Sequence, residues 1–190
     1  MTPATPRPAA TVILLRGGDD RIELLLVRRN PAARFMGGAW VFPGGALDGD
    51  EDARAAAVRE VAEEAGVALP DPSALVPFSR WITPEAVRIR FDTLFFLAPM
   101  PEGAEARPDG GETVDARWFT PGNALAAGEA DEIELVLPTI KTLEALAAFP
   151  TADAAIAEAR TRDVEAILPR VVSAEGEVRV VLPGEPGYHD

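Results

Sequence analysis

Residues 45–67 read GALDGDEDARAAAVREVAEEAGV. The stretch from Glu51 to Ala65 has the composition of a helix, and Gly66 supplies the residue that most readily ends one in a left-handed conformation. At about 100° per residue, Glu60, Glu63 and Glu64 share one narrow face, because positions i, i+3 and i+4 are neighbours. Val58, Val61, Ala62 and Ala65 are expected on the opposite face, anchoring the helix in a core. Carboxylates at this spacing repel one another, at a cost of a few tenths of a kcal/mol per pair. A hard divalent cation reverses that cost, since Mg²⁺ favours carboxylate and phosphate oxygens.

Taken alone, three such glutamates read as the solvated face of an amphipathic helix. The wider spacing argues otherwise. The full pattern is GX5EX7REUXEEXGU, with U apolar, satisfied by Gly45, Glu51, Arg59, Glu60, Val61, Glu63, Glu64, Gly66 and Val67. Seven fixed identities at roughly one in fifteen each give a chance match on the order of 10⁻⁸ per register. The pattern is the signature of the Nudix hydrolases, which this chain resembles. The resemblance implies an α/β fold, an α/β/α sandwich with a mixed sheet. It also implies hydrolysis of a diphosphate linkage with Mg²⁺ or Mn²⁺. By position, Glu60, Glu63 and Glu64 match the metal-ligating carboxylates, Arg59 and Glu51 the pair that orients them, and Gly44 and Gly45 the turn where backbone approaches the metal. Glu60 can serve as base or as ligand. The family also draws a carboxylate from a loop outside the signature, for which Glu112 and Asp115 are the candidates by position.

Composition narrows the chemistry further. The chain has 190 residues and 47% hydrophobic content, enough for one domain with a core. It has no cysteine, and its single histidine is His189, in a tail expected to be mobile. Thiolate chemistry is excluded, and carboxylates become the default acid–base groups. A net charge of −13 argues against broad nucleic-acid binding. Lys141 is the sole lysine, so the cations are arginines, whose forks suit phosphate. The short run TVILL is too brief for a signal core, and no apolar stretch reaches membrane-spanning length, which reads as a cytoplasmic protein without membrane association.

Along the chain, residues 1–9 are Pro-rich and expected to be disordered. Residues 10–135 read as the catalytic domain. TVILLRGGDDRIELLLVRR suggests two strands around a Gly-Gly-Asp-Asp turn, AWVF a third before the Pro43–Gly44–Gly45 turn, and further strands follow in VALPDPSALVPFSRWI, AVRIRFDTLFFLAPM and VDARWFT. PEGAEARPDGGE is an exposed loop, and PGNALAAG opens a helix with Pro121 in its first turn. Residues 136–190 are read as a helical C-terminal extension packed on the same domain, comprising TIKTLEALAAF, TADAAIAEARTR and VEAILPRVV, closed by a strand in GEVRVVLPG. Its apolar helices offer surface for a homodimer.

Substrate identity rests on residues outside the signature. LLVRRNPAARFMGGAWVFPGG keeps Leu25, Leu26, Arg29, Arg34, Gly38 and Phe42 to Gly45 at the spacing of the coenzyme A diphosphatase branch, although Val27 and Met36 stand where that branch commonly has threonine and histidine. Trp81, Thr83, Pro84, then Arg90, Phe91, Asp92 and Thr93, and PTIKTLEALA from Pro138, resemble animal members of that branch. The branch cleaves coenzyme A and its acyl derivatives, releasing 3',5'-ADP and a phosphopantetheine half. On this resemblance Arg29, Arg34, Trp81 and Arg90 are the candidate substrate-binding residues, with Arg29 and Arg34 suited to a 3'-phosphate. Trp81 and Phe91 also suit plain core packing. Coenzyme A or an acyl-CoA is the first-ranked substrate. ADP-ribose, a nucleotide sugar, a dinucleotide or a triphosphate comes next, and a ligand-sensing module without turnover is the alternative of another class.

Overall fold

The computed structural model describes residues 3–17, 21–174 and 177–188. In chain order the elements are β1 (Arg7–Arg16), β2 (Glu23–Arg29), β3 (Trp40–Val41), β4 (Gly44–Ala46), α1 (Ala53–Ala65), β5 (Val76–Ile82), β6 (Phe91–Pro99), β7 (Thr113–Phe119), α2 (Pro121–Glu129), α3 (Leu137–Leu146), α4 (Ala152–Ala159), β8 (Ala166–Ile167), β9 (Arg170–Ala174) and β10 (Glu177–Val181). The mobile tail expected at His189 and most of the Gly-Gly-Asp-Asp turn lie outside the described residues. No helix among the described residues is long and apolar enough to cross a membrane.

The run from Ala9 to Leu15 is buried throughout, as a central strand covered on both faces must be. β1 lies parallel to β6, from Arg7 opposite Phe91 to Leu15 opposite Pro99. Around this pair the eight-stranded mixed sheet runs β3-β2-β1-β6-β5-β8, with β4 also paired to β1 and β7 to β2. Alternation along the strands builds two cores. Ala10, Val12 and Leu14 face α1 through Ala57, Val61 and Ala65. Ile13 and Leu15 face the other way, toward Ala124, Leu143, Leu146 and Ile156 of α2, α3 and α4. The result is the α/β/α layering expected.

Three readings need correction. β1 begins at Arg7, inside the stretch expected to be disordered, because parallel pairing with β6 takes up its backbone groups. VEAILPRVV is not helical: it forms β8 and the start of β9, with Pro169 between them, since proline cannot continue a helix and Val171–Val172 favour a strand. The extension is therefore two helices followed by a hairpin, β9 paired with β10 as a separate two-stranded sheet. The Gly44–Gly45 turn is itself a short strand, β4, with Gly45 opposite Ala10.

Candidate active site

The helix that carries the acidic residues is well bounded. Asp52 caps it, accepting from the backbone N–H groups of Arg54 and Ala55, and Gly66 ends it at φ 65°. Its buried positions are Ala56, Ala57, Glu60, Val61, Glu64 and Ala65. The three glutamates thus do not stand opposite the packing face. Glu60 and Glu64 lie along its border and are buried, Glu63 is 60% exposed, and Ala62, expected in the core, faces solvent. Residues 60 and 64 are only about 100° from 61 and 65 around the helix, so one deeply set face takes both rows.

Two carboxylates enter the interior because the sheet forks beside them. β4 pairs with the first part of β1, at Ala9 to Thr11, whereas β2 joins β1 only at Leu15 and Arg16. The strand at the fork is made of glycine where α1 comes close. A Cβ on Gly45 would overlap the Glu60 carboxylate, and one on Gly44 would overlap the backbone of β1 at Ala10 and Thr11. The Gly44 N–H donates to Glu64 Oε2 at 2.9 Å.

Arg59 ties the acidic residues together. Its Nη2 donates to Glu51 Oε1 at 2.6 Å and to the Ala46 carbonyl at 3.0 Å, and its Nη1 donates to Glu60 Oε1 at 2.8 Å and Glu63 Oε2 at 3.1 Å. Glu51 in turn accepts from the Asp48 N–H at 2.6 Å, which fixes the loop before the helix. These contacts place Arg59 between Glu51 and the α1 carboxylates. Arg59 holds the Glu51 carboxyl below the usual carboxylate range. Burial acts the other way on the two inner residues. Desolvation pushes Glu64 up to about 7, against the opposing pull of the Gly44 N–H and Arg29, and it raises Glu60 despite Arg59. The negative charge of Glu112 adds to both shifts.

A cavity of about 510 Å³ opens at this point, and Arg29, Gly44, Gly45, Glu60, Glu64, Trp81 and Glu112 all line it. Arg29 Nη1 stands 4.0 Å from Glu64 Oε1, and its Nε is buried with no partner among the described residues. Glu112 comes from the loop before β7. Asp109 accepts from the backbone N–H groups of Glu112 and Thr113, and Thr113 Oγ1 donates to the Glu64 carbonyl at 2.6 Å, so this loop is tied to the end of α1. Asp115 does not line the cavity and pairs with Arg117 at 2.7 Å. Sequence reasoning missed Asp109 and Thr113, although an Asp three and four residues ahead of the N–H groups that donate to it is a readable turn signal.

The other two substrate candidates are not brought to the cavity. Arg34 is exposed on the turn before β3. Arg90 is buried and spent on backbone, donating to the Thr83 carbonyl at 2.9 Å and the Ala4 carbonyl at 2.6 Å, where it fixes the N-terminal segment.

Among the described residues, no three acidic groups are already gathered as a cation site, because Arg59 draws Glu63 to itself. The donor set still fits a hard cation. Two buried carboxylates, raised in pKa by lost solvent, gain most from a positive charge that replaces it, and all the available donors are oxygens.

Comparison with known proteins gives the same direction. The NUDIX domain model matches residues 5–139. The chain is 33% identical over 125 residues to the human "Acyl-coenzyme A diphosphatase NUDT19", covering 63% of this chain and 33% of that protein. It is 30% identical over 113 residues to a Bacillus subtilis (strain 168) protein provisionally named an 8-oxo-dGTP diphosphatase, covering 60% of this chain and 66% of the relative. Each match therefore spans less than two thirds of the relative. A solved NUDIX hydrolase from Alicyclobacillus acidocaldarius superposes with a TM-score of 0.74 at 29% identity, covering 80% of this chain and 96% of that one.

Proposed function

This chain belongs to the NUDIX domain family, and from that membership we propose that it is a divalent-cation-dependent diphosphatase acting on coenzyme A or an acyl derivative. The observation that carries the reading is the convergence of Glu60, Glu64, Glu112 and Arg29 on one cavity whose other walls are largely apolar. The likeness to the human acyl-coenzyme A diphosphatase supports the choice of substrate.

In this reading Glu60, Glu64 and, after release from Arg59, Glu63 hold the cation, with the backbone of Gly44 and Gly45 beside them. Mg²⁺ or Mn²⁺ bound there supplies charge neutralisation on the diphosphate and acidifies a water. The chain does the rest. Arg59 and Glu51 fix the direction of the carboxylates through the contacts given above. The buried Arg29 Nε is a donor that a phosphate oxygen satisfies. Glu112 is engaged by no side-chain hydrogen bond or ion pair among the described residues and lines the cavity from a different element, so it is free to take the proton of the attacking water. The apolar walls exclude bulk water and strengthen every one of these interactions.

The test is hydrolysis of coenzyme A, acetyl-CoA, ADP-ribose, a dinucleotide, a nucleotide sugar and a set of triphosphates with Mg²⁺ or Mn²⁺, with products identified by mass. The expected result is cation-dependent release of 3',5'-ADP from the coenzyme A compounds. Cleavage confined to other compounds keeps the diphosphatase chemistry and discards the substrate. Silence across the set overturns catalysis and leaves a binding module.

A further inference from the structure

The acidic end accounts for only part of the cavity. Away from Glu60, Glu64 and Glu112 it is walled by Met36, Val87, Phe91, Pro138, Pro169 and Val180. The charged diphosphate has no use for a surface of this composition, whereas its aliphatic members, Met36, Val87 and Val180, suit an apolar chain. Two of the walls are large hydrophobic side chains left open to solvent, Met36 at 40% and Val180 at 47% exposure. Exposed apolar side chains that gather at a cavity mouth mark a surface completed by a ligand.

The backbone supports the same conclusion at two of these walls. Met36 sits at φ 51°, a left-handed conformation that is unusual for a long side chain and recurs at binding sites. Its carbonyl accepts from Ala39 N–H at 3.2 Å, closing the turn that presents it. On the hairpin, Val180 of β10 pairs with Val171 of β9, itself 39% exposed, so a short apolar strip meets the cavity at Val180. Pro169, buried between β8 and β9, has a fixed φ at the start of the hairpin.

Pro169 and Val180 lie beyond residue 139, where the family match ends. We infer that the C-terminal hairpin, through Val180 and Pro169 together with Met36, forms a subsite for the acyl chain of an acyl-CoA, and that this added wall sets the chain-length preference. The inference rests on the proposed coenzyme A reading and specifies which arm of the substrate the extension recognises.

Burying one methylene multiplies affinity by about three- to fourfold, so a chain that fills the subsite should show a steep early rise with length. The experiment measures kcat/KM of the full chain with Mg²⁺ for coenzyme A and its acetyl, butyryl, octanoyl and dodecanoyl thioesters, with ADP-ribose alongside. The expected octanoyl-to-coenzyme A ratio is at least tenfold above one. In Val180→Asp that ratio drops at least tenfold, while Val180→Ile keeps it within threefold. Thermal unfolding of each variant confirms that it is folded. As a readout independent of turnover, Trp fluorescence in EDTA should report tighter binding of octanoyl-CoA than of coenzyme A, and Val180→Asp should abolish the difference. A ratio within twofold of one, with coenzyme A cleaved normally, overturns the subsite and leaves the proposed function standing. Loss of chain-length preference in Val180→Ile as well as Val180→Asp also overturns it. Cleavage of ADP-ribose but of no coenzyme A compound removes the substrate reading and the subsite with it.

Discussion

The Glu60 carboxylate fills the space that a side chain on Gly45 would need. The absence of a Cβ at Gly45 is thus what lets α1 present a carboxylate through the fork of the sheet. Gly45→Ala should move Glu60 without disturbing the backbone pairing of β4 with β1. The expected result is a 10- to 100-fold rise in the Mg²⁺ concentration for half-maximal activity, the range seen when a ligand's support is lost. The unfolding midpoint in EDTA should fall by only a few degrees. An unchanged Mg²⁺ requirement would falsify the placement of Glu60 as a ligand.

Glu64 links function to a stability cost. Burial pushes its carboxyl up to about 7 from the ordinary 4.5. A folded-state pKa raised in this way means that the contribution of the protonated form is fully present below about pH 4.5 and is lost as pH rises toward 7. In metal-free protein, Glu64→Gln should therefore raise stability at pH 8 by about 1–3 kcal/mol relative to wild type and change it little at pH 4.5. Urea unfolding in EDTA at the two pH values checks this. Equal shifts at both would show that the wild-type carboxylate pays no burial penalty. The same substitution should depress cation-dependent turnover by more than 100-fold.

Much of this site was legible because its parts are close in sequence. The helix with its Gly66 end and the run of inner-strand residues from Thr11 to Leu15 follow from neighbouring residues, and the Glu51–Arg59 pair from the resemblance that the signature carries. What was not legible depends on contacts between distant segments. Arg29 reaches Glu64 from another strand, and nothing local to either residue marks the pairing. Arg90 stands among the substrate candidates through the resemblance, but the carbonyls of Thr83 and Ala4 take it. Ala62 and Val61 were placed on one face by periodicity alone, whereas the sheet covers Val61 and leaves Ala62 in solvent. β9 was missed because AILPRVV has apolar residues at both helical and extended spacing, and only pairing with β10 decides between them.

Arg59 should resist conservative replacement. It reaches Glu51, Glu60, Glu63 and the Ala46 carbonyl at the same time. An ammonium group is a compact point charge and cannot span those acceptors. Arg59→Lys is expected to lower kcat/KM by about 10- to 100-fold, and Glu51→Gln by a smaller factor, since it removes one contact of the set. Steady-state kinetics at saturating Mg²⁺ would show this. Activity of Arg59→Lys within twofold of wild type would mean that charge alone suffices and that the fork geometry is incidental.

Glu112 and Asp115 separate the two loop carboxylates by position in the structure. Glu112 lines the cavity and has no side-chain partner among the described residues, while Asp115 is held by Arg117 outside it. If Glu112 accepts the proton of the attacking water, Glu112→Gln should lower kcat by about 10²- to 10⁴-fold. KM and the Mg²⁺ half-saturation should stay within a few-fold of wild type. Asp115→Asn should leave kcat within twofold. The pH–rate profile gives a second readout, because loss of a general base removes the acidic limb of the kcat profile, and loss of a positioning contact lowers the rate evenly across pH. A Glu112→Gln protein with normal kcat would return the role of base to the α1 carboxylates, with Glu60 the first to examine.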